Sequence, residues 1–263
     1  MELHDDDKPV GRVLSRREVL ALLGGGSAAM LTMLGLPRLV AAQGSATATP
    51  TVTSSPTPVP ECVVRPELTE GPYFVDNQLN RSDIRVDPAD GSIKPGTPLY
   101  LRYRVFNVTD NVCAALAGAQ VDVWHCDAEG VYSGVQDRSF DTREQKWLRG
   151  YQITDQFGIA DFLTIVPGWY PGRAVHIHFK IRTQGANQQA YEFTSQLFFD
   201  PATIETIYAD SPYAEKGLPN VPNERDSIFR ASGEMLTLKL EQRPNGEAGY
   251  NAVFDIALDL SDT

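Results

Sequence analysis

Cysteine is almost absent from this chain of 263 residues: there are three. That excludes a small domain stapled by disulfides, so an apolar core has to hold the fold. Basic side chains are the minority, with 23 lysines and arginines against 34 aspartates and glutamates and a formal charge of −11. Phosphate binding needs a basic stripe, so nucleic acid is excluded as a partner. No internal repeat is present. The composition, 42% hydrophobic and 22% charged, also lies far from the disordered and collagen-like classes. What remains is an ordinary folded protein.

A long, uninterrupted apolar run is missing too. The stretch from Val19 to Leu36 is diluted by Gly24-Gly25-Gly26 and Ser27, which suits a cleaved signal better than a membrane-spanning helix. Arg16-Arg17 stands directly before it, and the small-residue site Val40-Ala41-Ala42 closes it. Residues 1–42 thus resemble a twin-arginine-type export signal, with no stable membrane span after its cleavage. The Thr-, Pro-, Ser- and Ala-rich residues 43–60 read as an extended linker. Residues 61–263 are left as one folded domain.

Within it, period-two alternation recurs. Leu99, Leu101, Tyr103 and Val105 share one parity, as do Ala119, Val121 and Val123, and Leu236, Leu238 and Leu240. The longest run is Tyr250, Ala252, Phe254, Ile256, Leu258 and Leu260. Each is the pattern of a half-buried strand. Pro244-Asn245-Gly246 is expected to turn a hairpin between the last two runs. A short helix is expected around Ala202 to Ala209, after Asp200-Pro201. The expected fold is all-β, an antiparallel β-sandwich with long loops and one or two short helices.

Histidine is scarce, with four in the chain and three beyond the signal. Two of those three are His176 and His178, on a segment where Val175, Ile177, Phe179 and Ile181 alternate with His176, His178 and Lys180. Histidines at i and i+2 of a strand share a face, with Cα atoms roughly 6.5 Å apart, so they can converge on one metal ion. The bland alternative is a polar strand face open to solvent. Tyr170 lies six residues before His176 in a Gly/Pro-rich loop, and Tyr132 follows a turn at Asp127 to Gly130. A loop tyrosine is usually a packing residue, yet a phenolate is a hard oxygen donor suited to Fe(III). His125 has the parity of Val121 and Val123 and reads as a core residue, while Asp122, Asp127 and Glu129 read as solvated or turn-forming.

Three pieces of sequence come in a recognisable order: Thr69-Glu70-Gly71-Pro72-Tyr73-Phe74, then Trp124 to Ser133, then Tyr170-Pro171-Gly172-Arg173-Ala174-Val175-His176-Ile177-His178. Together they resemble the intradiol ring-cleavage dioxygenases, the protocatechuate 3,4-dioxygenase and catechol 1,2-dioxygenase group, in an exported single-chain form. The resemblance spans roughly residues 61–260. It implies a non-haem Fe(III) held by Tyr132, Tyr170, His176 and His178, with Tyr170 and His178 axial. It further implies that Arg173 stabilises carbanionic character on a bound catecholate, that Gln196 is a supporting glutamine, and that Tyr73 lines the substrate pocket. The implied substrates are a catechol-type molecule and O2, opened to a cis,cis-muconate-type diacid without a reductant. The helical N-terminal dimerisation region of catechol 1,2-dioxygenases has no counterpart, so their dimer is not assumed and a different homo-oligomer is left open.

Two other readings compete. One is a non-catalytic β-sandwich binding module on the same scaffold. The other is a zinc or copper protein in which His176 and His178 bind the ion and the tyrosines only pack. The cysteines fit export: a Cys62–Cys113 disulfide suits an oxidising compartment and leaves Cys126 unpaired. Because neighbours on a strand face opposite ways, His125 and Cys126 are not expected to share one partner.

Overall fold

A computed structural model describes residues 62–109, 112–185 and 187–260. The export signal at 1–42 and the linker at 43–60 lie outside the described residues. Among the described residues ten strands pair into two five-stranded sheets. The first contains β1 (Pro98–Thr109), β2 (Val112–Ala115), β5 (Ile159–Ile165), β9 (Glu241–Gln242) and β10 (Tyr250–Asp259). The second runs in the order β4 (Arg149–Ile153), β3 (Gln120–Trp124), β6 (His176–Gln184), β7 (Ala190–Phe199) and β8 (Thr237–Leu238). Two short helices follow β7: α1 (Pro201–Tyr208) and α2 (Ser227–Ser232).

The alternation resolves as the two inner faces of the sandwich. Leu99, Leu101, Tyr103 and Val105 of β1 are buried against Val121 and Val123 of β3 and Ile177, Phe179 and Ile181 of β6. Tyr103 sits at the centre, its ring 5.4 Å from that of Phe179 and 5.9 Å from those of Phe162 and Phe254. Burying apolar side chains of this size stabilises by about 1.5–3 kcal/mol each, which is what holds a chain with so little cross-linking. α1 begins where Asp200 accepts a hydrogen bond from the Thr203 backbone and Pro201 fills the first turn, the start signal seen in the sequence.

Three expectations need correction. The sandwich is not wholly antiparallel, because β1 pairs with β10 and β7 with β8 in parallel. The run Leu236, Leu238, Leu240 is not one strand: Leu236 ends a 3-10 turn, and only Thr237–Leu238 pairs, with β7. The turn at Pro244–Gly246 does close a hairpin, but its first arm is Glu241–Gln242 in the other sheet. Alternation reports burial, and two neighbouring runs can serve different sheets without changing parity. The disulfide Cys62–Cys113 is present, and Cys126 is the buried free thiol.

Candidate metal centre

Register places the site. β6 is hydrogen-bonded on both sides, and His178 stands opposite Trp124 of β3 and Gln196 of β7. Residues directly opposite in a ladder share a face. With the apolar residues of β6 turned to the core, His176 and His178 project from the outer face, yet that face is not open to solvent. His176 is 2% exposed, His178 1% and Lys180 7%. The segment carrying Tyr73, the turn before Tyr132 and the loop carrying Tyr170 cover them, which overturns the solvent-face alternative.

The two tyrosine loops are built against each other. Asp127 accepts from the backbone N–H of Glu129 (3.0 Å) and Val131 (2.9 Å), and so forms the expected turn, with Gly130 at φ +81°. It is buried and paired with Lys94 at 2.8 Å, so it is turn-forming but not solvated. Asp122 is neither: it is 7% exposed and paired with Arg182 at 2.7 Å. The Gly168 N–H donates to the Asp127 carbonyl at 3.0 Å, and the Cys126 thiol donates to the Gly168 carbonyl at 3.4 Å. Lys216 donates to the carbonyls of both Glu129 and Trp169, clamping the turn to the loop. His125 and Cys126 lie just past the end of β3 and not on a strand; His125 Nε2 is 2.7 Å from the Thr164 hydroxyl while the Cys126 thiol meets Gly168, so their side chains share no partner.

Every candidate site residue falls in one cluster. Tyr170 Oη lies 3.2 Å from His176 Nε2, and His176 Nε2 lies 3.1 Å from His178 Nε2. The Tyr132 ring is 5.8 Å from that of Tyr170 and 6.3 Å from that of His178. Tyr73 stacks on Tyr132 at 4.5 Å and donates its hydroxyl to Asp137 at 2.8 Å. Trp124 lies flat against His178 at 5.1 Å. Arg149, itself buried, donates to Ser133 Oγ and to the carbonyls of Ser133 and Tyr73, fastening the Tyr73 segment to the Tyr132 loop; burial pushes its guanidinium down to about 10.

The electrostatics favour neutral imidazoles. Burial, then the Arg173 charge, holds His176 well below its ordinary range; burial, then His176, does the same to His178. His176 Nδ1 is 2.6 Å from the Ala174 carbonyl, which fixes the N–H there and leaves the Nε2 lone pair facing His178 and Tyr170. Two imidazole nitrogens this close need a proton or a cation between them. Metal–nitrogen bonds of about 2.0–2.1 Å meeting near a right angle leave their nitrogens roughly 3 Å apart, so the spacing suits a shared ion. Among the described residues no three His, Cys, Asp or Glu side chains converge, and the further protein donor beside the two imidazoles is the Tyr170 oxygen. Hard phenolates beside imidazoles suit Fe(III) better than the soft-ligand metals.

Arg173 and Gln196 complete the cluster. Arg173, 1% exposed, donates from Nη2 to Gln196 Oε1 at 2.6 Å and from Nε to Asp226 Oδ2 at 2.9 Å. Its charge is therefore paired, where the sequence suggested only a fixed positive group. Asp226 is the residue that sequence reasoning missed. Its visible signal, an aspartate directly before Ser227-Ile228-Phe229, announces a helix cap and says nothing of an arginine 53 positions away.

Comparison with known proteins gives the family and the fold. A family profile described as "Dioxygenase" matches residues 69–259. An intradiol ring-cleavage dioxygenase from Tetranychus urticae is 30% identical, with a TM-score of 0.63 over 75% of this chain and 95% of that one. The dioxygenase domain of a dioxygenase and carbohydrate-binding protein fusion from Streptomyces sp. SirexAA-E is 29% identical, with a TM-score of 0.51 over 75% and 99%. A chlorocatechol 1,2-dioxygenase of Pseudomonas putida is 27% identical over 150 residues, 50% of this chain. The chain spans about half the length of the curated relatives it matches, 52% and 55%.

Proposed function

The chain belongs to the intradiol ring-cleavage dioxygenase family, and we propose that it is an exported, Fe(III)-dependent enzyme that opens catechol-type rings with O2. The products are cis,cis-muconate-type diacids, with both oxygen atoms retained and no external reductant. The observation that carries this reading is the approach of Tyr170 Oη (3.2 Å) and His178 Nε2 (3.1 Å) to His176 Nε2, with Tyr132 beside them. These four residues would hold the ion. When bound, Fe(III) would supply Lewis acidity toward a catecholate, polarising its ring for attack by O2.

The chain's own residues supply the rest. His176 and His178, neutral and held on the paired strand β6, offer lone pairs without a proton to lose. Tyr170 is half-buried on a loop and takes a proton from a substrate hydroxyl at Oη, general-base work done by a ligand oxygen. Arg173 donates toward charge that develops on the ring. Tyr73, stacked on Tyr132, gives the ring an apolar wall and excludes water. The Cys62–Cys113 disulfide supports an oxidising compartment outside the cytoplasm. Among the described residues no helix is long and apolar enough to cross a membrane.

The test is the visible spectrum of the iron-loaded protein, with metal content measured on the same sample. A broad phenolate-to-iron band, shifted by catechol and weakened in both Tyr132→Phe and Tyr170→Phe, is expected. Zinc or copper in place of iron favours the histidine-only metal site. A protein that stays colourless after iron loading refutes the dioxygenase reading and leaves a binding module.

A further inference from the structure

We propose that Asp226 is the positioning residue for the Arg173 guanidinium, a role that rests on the dioxygenase reading above. Both carboxylate oxygens are fully used. Oδ1 accepts from the backbone N–H groups of Ile228 (2.8 Å) and Phe229 (3.0 Å), capping α2. Oδ2 accepts from Arg173 Nε (2.9 Å) and from the Ala174 N–H (2.8 Å). A carboxylate offers about four lone-pair directions, so these four donors consume its capacity. The side chains of Arg173 and Asp226 are 1% and 0% exposed, so the pair is shielded from water.

The same contacts reach the imidazoles. Ala174 gives its N–H to Asp226 and its carbonyl to His176 Nδ1, so the residue entering β6 is held at both polar atoms. On the far side of the guanidinium, Gln196 Oε1 takes Nη2, and Gln196 Nε2 donates to the Thr69 carbonyl at 3.0 Å. Arg173 is thus strung between the start of α2 and strand β7, with its angle toward the His176 and His178 face set from both ends. An amide at position 226 has one accepting atom. Its NH2 must face either the α2 N–H groups or Arg173, so the carboxylate is specified by the geometry and not by capping alone.

The experiment is a double-mutant cycle on the iron-loaded full chain, with kcat and KM for catechol measured for wild type, Asp226→Asn, Arg173→Lys and the double variant. Asp226→Asn is expected to lower kcat about 10–100-fold, with KM within about threefold, the scale of a displaced supporting contact. The double variant is expected to be no slower than Arg173→Lys alone. The visible band of Asp226→Asn before catechol is added stays near the wild-type position, because the β6 ladder to β7 holds His176 and His178 when the Ala174 N–H contact is lost. Losses that multiply in the double variant, or an unchanged kcat in Asp226→Asn, overturn the proposal. If Asp226→Asn does not fold, Asp226→Ser takes its place, since serine caps α2 without reaching Arg173. An inert, colourless wild type overturns the parent reading and this role with it; an active wild type with multiplying losses overturns this role alone.

Discussion

Gly130 is where the two tyrosine loops touch backbone to backbone, and Gly130→Ala tests that contact directly. At φ +81° any side chain is strained, and an added Cβ lies 2.1 Å from the Trp169 carbonyl oxygen and 2.6 Å from Lys216 Nζ. The lysine tip can swing away, but the carbonyl cannot. It belongs to the residue before Tyr170 and has to retreat by roughly 1 Å to reach ordinary contact. The left-handed backbone costs about 1–2 kcal/mol and the forced displacement about 1–3 kcal/mol more. Gly118 isolates the second part, for it has φ +80° with nothing within 4 Å of an added Cβ. Gly118→Ala therefore carries the backbone cost alone. Urea unfolding of the two variants should differ by about 1–3 kcal/mol, with equal m-values. The iron-loaded Gly130→Ala protein should also have a weaker phenolate band, because Tyr170 moves with Trp169. Two variants within about 0.5 kcal/mol of each other, or an unaltered spectrum, refute the claim that this glycine sets the distance between the loops.

The disulfide spans 51 positions, so Cys62→Ser with Cys113→Ser is expected to lower the unfolding free energy by about 4 kcal/mol; a change under about 1 kcal/mol contradicts a stabilising cross-link. Cys126 is buried with its thiol pushed up by burial, so a thiol reagent should label nothing in the native protein and one group per chain after unfolding. Burial, the largest influence, holds His125 at about 4 against an ordinary 6.5, and the unfolded chain therefore binds its proton first on acidification. Stability linked to His125 is intact above about pH 6.5 and declines toward pH 4, by on the order of 3 kcal/mol; His125→Gln should flatten that slope in metal-free protein, and an unchanged slope contradicts it.

Parity carried most of the legible information. It identified the inner faces of β1, β3, β6 and β10, and with them the direction in which His176 and His178 point. The turn residues Asp127 to Gly130 and the Asp200-Pro201 start of α1 were legible because their signals are local hydrogen-bonding chemistry. Strand partners were not. Nothing in Tyr250 to Leu260 distinguishes a strand parallel to β1 from one antiparallel to it, since both bury the same parity. Asp226 was hidden for a related reason. Its cap is a contact within three residues, whereas its pairing with Arg173 exists only once α2 has packed beside the start of β6. The burial of Lys180 had the same origin, because Glu70 and Glu192 reach it from separate elements.

The division of labour between strand and loop bears on which proposed ligand can move. His178 lies between Trp124 of β3 and Gln196 of β7, and His176 pairs with Phe198 of β7, so their positions are fixed by neighbouring strands as much as by their own backbone. Tyr132 is 1% exposed, stacked under Tyr73, and its carbonyl is held by the Thr142 hydroxyl at 2.6 Å. Tyr170 differs on each count: it is half-buried, followed by exposed Pro171 and Gly172, and the backbone hydrogen bond from Arg173 to its carbonyl is long at 3.4 Å. Of two chemically identical phenols, the one on the more exposed stretch is the one whose oxygen can swing out and return. The proposed base is therefore Tyr170, and Tyr132 the permanent anion. Restraint of the backbone, and not the chemistry of the side chain, assigns them different tasks.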